Sequence, residues 1–138
     1  MDLRRQIKNK IYELYSNSAL ADALNGLYWG KAPSGVNQDD FPIATYYIST
    51  SLAEYNLGTF TPKREILTLT FKILSGAEAS TEAENICETL TETYDGASLS
   101  LTGWTLLEMA RTDIAGPYLD DMDVWNVNVT YRLLVEKT

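Results

Sequence analysis

The stretch WNVNVTYRLLVEK, Trp125 to Lys137, decides the fold. Trp125, Val127, Val129, Tyr131, Leu133 and Val135 alternate with Asn126, Asn128, Thr130, Arg132 and Glu136, the longest period-two pattern in the chain. Side chains of a strand point alternately to opposite faces, so one face here is apolar and the other polar. With its approach, the strand is expected from about Met122 to Lys137. Glu65 to Ser75 repeats the pattern, with Leu67, Leu69, Phe71 and Ile73 against Thr68, Thr70 and Lys72. Strands of a parallel sheet are buried on both faces and read as continuous apolar runs. A single apolar face therefore predicts an antiparallel sheet.

Two helices supply the cover. Leu3, Ile7, Ile11 and Leu14 recur at helical spacing, and Leu20, Ala23 and Leu24 read as a further turn or two before Asn25-Gly26 stops it. The second helix is expected over Glu78 to Tyr94, with the stripe Ala79, Ala83, Ile86, Leu90 and Tyr94. Thr81 and Glu84 have the spacing of a capping box, and Asp95-Gly96 the residues of a stop. Leu27 to Pro42 reads as a loop, Ile43 to Thr50 as a strand, and residues 51–63 as a long hairpin arm. Leu99 to Leu101 reads as a short strand or the start of one. Trp104 to Arg111 is expected as a third strand, ended by a turn at Ala115-Gly116-Pro117. The expectation is one α+β domain over residues 1–138. It has a four-stranded, mainly antiparallel sheet with two helices on one face, in the order α-β-β-α-β-β.

The chemistry of the sequence points away from catalysis. Histidine is absent, which removes the commonest general base near neutral pH and every Ser-His or Cys-His arrangement. One cysteine, Cys87, permits no intramolecular disulfide, and without histidine it cannot complete a tetrahedral zinc site. The reading for Cys87 is structural. Acidic groups at Asp39-Asp40, along the second helix and at Asp120, Asp121 and Asp123 lack calcium-loop spacing. Gly26, Gly30 and Gly35 match neither dinucleotide nor phosphate-loop patterns. The expectation is no enzyme, no cofactor and no metal.

A formal charge of −8 and a pI near 4.4 repel nucleic-acid phosphates at long range. No apolar run reaches the roughly 18 residues of a membrane span, and the first residues lack a signal-peptide core. Folding in the cytoplasm is expected. What remains is surface for other proteins. Arg4, Arg5 and Lys8 form a basic start to the first helix, and Glu88 and Glu92 an acidic outer face on the second. Trp29, Tyr55, Leu57 and Phe60 are aromatic and apolar residues in expected loops, the kind that anchors interfaces. These nine residues are the candidate subunit interface. Trp104, Trp125 and Tyr131 fit core-facing positions.

Leu24-Asn25-Gly26-Leu27-Tyr28 through Ala32-Pro33, then Phe41-Pro42-Ile43, resembles the tail-terminator or tail-completion proteins of long-tailed bacteriophages and prophages. The likeness continues through the Thr-rich strand Leu67 to Leu74, the helix Ala79 to Tyr94 and the closing strand Trp125 to Val135. It implies a virion subunit, present in the tail or neck, that forms a ring, usually a hexamer, on the tail tube. Its partners would be further copies of itself, the tail-tube protein and a head-completion protein. DNA would pass through without sequence-specific binding, and no membrane is involved. The alternative reading is a non-viral protein-binding adaptor.

Overall fold

The computed structural model describes residues 2–35, 38–55 and 62–138. Helix α1 spans Leu3–Ser16 and the short α2 Leu20–Ala23. Strand β1 is Leu27–Trp29, a 3-10 turn covers Gln38–Asp40, and β2 and β3 are Ile43–Tyr55 and Pro62–Ser75. Helix α3 is Thr81–Tyr94, followed by β4, Trp104–Leu119, and β5, Trp125–Lys137. The sheet order is β1-β2-β3-β5-β4.

The α+β class and the antiparallel centre agree with the expectation, but among the described residues the sheet has five strands, not four, and the element order gains α2 and β1. Leu27, Tyr28 and Trp29 pair parallel with Ala44, Thr45 and Tyr46 inside the expected loop. Three residues are too few to show an alternation. Strand β4 also runs straight through the expected turn at Ala115-Gly116-Pro117. The register shifts between Ala115 and Tyr118, so Gly116 and Pro117 form a bulge on an edge strand. Proline's missing N–H is tolerated at such a place. Gly116 has φ 104°, and a Cβ there would lie 2.5 Å from the Asn126 carbonyl oxygen. Leu99 to Leu101 is not a strand; Leu99 is buried in the core from a loop. Helix α3 begins at Thr81, with Ser80 as its cap residue, so the Thr81–Glu84 capping box does not form.

Both long helices cover one face. Ile7 and Ile11 of α1 and Ala83, Ile86 and Leu90 of α3 join Leu67, Leu69, Phe71 and Ile73 of β3 and Val127, Val129, Leu133 and Val135 of β5 in one core. At its centre Phe71 stacks on Tyr94 with ring centroids 4.7 Å apart and meets Tyr46 and Tyr131 at 6.0 Å. The hydroxyls of these three tyrosines all have acceptors. Tyr46 donates to the Lys8 carbonyl at 2.9 Å, Tyr94 to the Ile11 carbonyl at 2.9 Å and Tyr131 to Asp95 at 2.7 Å. The first two tie α1 to β2 and to α3, so the aromatic rings set where the helices sit as well as filling the core. Trp104 and Trp125 lie partly buried against the same cluster.

Candidate subunit interfaces

The surface built by α1 and β1 gathers four of the candidate residues. The helical period places Arg4 and Lys8 one turn apart on one side of α1, with Arg5 beside them. The parallel pairing of β1 brings Trp29 up to them. The Lys8 ammonium lies 5.6 Å from the Trp29 ring centre, and Trp29 meets Tyr46 edge-on at 5.1 Å. Arg4 donates to the Ile48 carbonyl at 3.1 Å, which pins its head over β2, while Arg5 stays exposed. Lys8, Tyr12, Tyr28, Trp29 and Tyr46 line an open cleft of about 580 Å³. A second hollow, between Asp2, Arg4, Arg5, Lys8 and Trp29, adjoins it through Lys8 and Trp29. The combination is an aromatic floor with a basic rim. Tyr12, 47% exposed at its edge, escaped the sequence reading, although it lies one helical turn beyond Lys8.

The acidic candidates sit elsewhere. Glu88 and Glu92 are exposed on α3, as is Glu84, whereas Glu82 accepts from the Ser75 hydroxyl at 2.7 Å. Tyr55 is the last residue of β2 and its backbone pairs with Pro62. Leu57 and Phe60 lie outside the described residues.

Two acidic or nucleophilic features acquire structural roles. Burial, more than any neighbouring charge, pushes the Cys87 thiol up, which disfavours a reactive thiolate. Asp120 organises the β4–β5 turn. One of its oxygens accepts from the Met122 and Val124 amides at 2.8 and 3.1 Å, and the other from Asn126 Nδ2 at 2.9 Å. These bonds, led by that from Asn126, hold its carboxyl below the usual range. The hollow between residues 96–101 and β4 has Glu108 as the one ionisable side chain in its lining, so no facing carboxylate pair arises there.

No family model matches the sequence, and no curated protein matches it. Solved structures do. A chain in the virion of a native gene transfer agent particle is similar with a TM-score of 0.66, covering 97% of this chain and 94% of that one at 12% identity. The gp17 protein of bacteriophage SPP1 is similar with a TM-score of 0.52, covering 92% and 88% at 19% identity. This fold occurs in a gene transfer agent virion and in a bacteriophage protein. The likeness spans nearly the whole of each chain, so it concerns the complete arrangement of elements and not a shared hairpin or helix pair. At these identities it speaks to the fold alone.

Proposed function

We propose that this chain is a structural virion protein of a phage or prophage. As a ring, it caps the tail tube and joins it to the head-completion protein. The observation that carries the reading is the near end-to-end fold similarity to two proteins of phage and phage-like origin. The surface is compatible with assembly: a basic, aromatic patch on α1 and β1, and an acidic patch on α3. Unlike patches on one subunit favour head-to-tail contacts, which close into a ring when the rotation between copies divides the circle. DNA passes such a ring without sequence-specific binding, and the net charge of −8 limits its adhesion.

Electron micrographs of the chain, alone and mixed with polymerised tail tubes of its own virion, provide the test. Closed rings of about six copies are expected at the tube end; a chain that stays monomeric in both samples overturns the reading. If α1 and α3 patches meet between neighbours, Glu88→Lys with Glu92→Lys weakens assembly, and added salt weakens the wild type. Unchanged assembly removes that pair of patches from the interface.

A further inference from the structure

Among the described residues Met122 is the most exposed large hydrophobic side chain, at 76%. It sits at the tip of the β4–β5 turn, between Asp121 and Asp123. The tip is rigidly built. Asp120 fastens three groups, as above; its amide donates to the Val124 carbonyl at 3.0 Å, and the Asp123 amide donates to the Asp120 carbonyl at 3.1 Å. Asp123 adopts φ 60°, and Asn126, which anchors the carboxylate, is 1% exposed. Such a turn presents an apolar side chain in a fixed place, and a preordered element loses little entropy on docking. Methionine is enriched at interfaces and adapts its shape to aromatic surroundings.

The aromatic cleft over β1 has the complementary chemistry. Its floor of Trp29, Tyr28 and Tyr12 suits an apolar side chain, and Lys8 with the adjoining Arg4 and Arg5 supplies positive charge at the rim. Placement completes the match. Strand β1 is one edge of the sheet and β4 the other. The register links Ala44, Ile73 and Val127 across the sheet, so the β1 cleft and the β4–β5 turn lie at the same end of the strands on opposite edges. Four interstrand spacings set these edges roughly 19 Å apart. A plug on one edge and a socket on the other cannot satisfy each other within one subunit. A contact between them is therefore one between copies, and heterologous.

We propose that the Met122 turn of one copy plugs the aromatic, basic cleft of a second copy, with Asp121 and Asp123 set against Arg5 and Lys8. This contact rests on the ring reading and names the surfaces that make it.

Cysteine crosslinking tests it, in a Cys87→Ser background. Asn9→Cys, in the cleft lining, combined with Leu119→Cys, exposed beside the intact Met122 turn, is treated with a short bis-maleimide, and native mass spectrometry follows the assembly in parallel. A ladder of covalent oligomers is expected from the double variant and none from either single variant. Oligomers that yield no ladder overturn the plug while leaving the ring intact; absence of oligomers on tube and off it overturns both. The charge arm is independent. Arg5→Glu should weaken association at least tenfold, and Asp121→Arg in the same chain should restore it at low salt. Circular dichroism checks that each variant is folded. Failure of the second change to rescue a folded Arg5→Glu variant counts against the proposed pairing.

Discussion

On the side of the sheet under α1 and α3, Leu67, Leu69, Phe71 and Ile73 of β3 and Val129, Tyr131, Leu133 and Val135 of β5 are all 0% exposed. On the other side the same two strands present Thr68, Thr70 and Lys72, then Asn128, Thr130 and Arg132, all partly or fully accessible. Register pairs like with like across the strands: Phe71 with Val129 on the covered side, Thr70 with Thr130 on the open one. Folding energy is therefore concentrated on one face. Among the described residues no second layer closes off the other face, and its polar rows can meet water or a neighbour without altering the core.

The largest effect expected from this asymmetry is at Phe71. Its ring contacts Tyr46, Tyr94 and Tyr131, so Phe71→Ala removes the centre of the cluster and leaves a cavity that three rings cannot easily close. The cost should be about 3–5 kcal/mol, a large part of the roughly 5–15 kcal/mol that holds a domain together. Urea denaturation of the monomer reads it directly. A loss under about 1 kcal/mol would mean that the covered face is not the energetic centre.

The covered face was also the legible one. Long, uniform alternation in β3 and β5 and helical spacing in α1 and α3 survive in the sequence because burial demands them over many residues. Edges are different. Strand β1 has three residues and owes its existence to pairing with Ala44–Tyr46, a tertiary event without a local signature. Strand β4 has register shifts after Leu106, Arg111 and Ala115, and each breaks the period of two that marks a strand. Gly116-Pro117 therefore resembled a turn. The candidate site follows the same rule. Arg4, Arg5, Lys8 and Trp29 were each visible as surface chemistry, but their convergence needed β1. Met122 was read as the approach to the closing strand, but that strand begins at Trp125 and Met122 lies in the turn before it.

The second effect distinguishes the buried hydroxyls from the hydrocarbon around them. Burial pushes the Tyr46 phenol up to about 12, with Tyr12 adding to the shift, and raises Tyr94 and Tyr131 still further. A phenol whose folded pKa exceeds its unfolded value near 10 gives its full stabilisation below pH 10 and loses it as pH rises towards the folded value. Stability should thus be flat between pH 7 and 9 with respect to these groups. Above pH 10 it should fall by up to ~1.4 kcal/mol per pH unit for each tyrosine. Tyr46→Phe gives up the bond to the Lys8 carbonyl and should cost about 1 kcal/mol at pH 7. It also removes its own alkaline penalty, so its deficit should shrink between pH 10 and 11. Urea titrations at both ends decide the matter; a deficit that stays constant would mean that Tyr46 ionises freely.

The smallest effect is expected on the open face, and it is the sharpest check on the asymmetry. Thr70 and Thr130 sit directly opposite one another, half-buried, on strands whose alternate residues are wholly enclosed. Changing both to Val keeps the β-branched shape that suits a strand and exchanges two hydroxyls for methyl groups. If that side faces only solvent in the monomer, the midpoint of urea unfolding should correspond to a change within about 0.5 kcal/mol, of either sign. The added apolar surface should appear instead in salt-dependent self-association, measured by sedimentation. A loss of 2 kcal/mol or more would require the two hydroxyls to hold bonds that the fold depends on. Energy would then be shared between the faces, and the polar rows would belong to the structure of the subunit before they belonged to any neighbour.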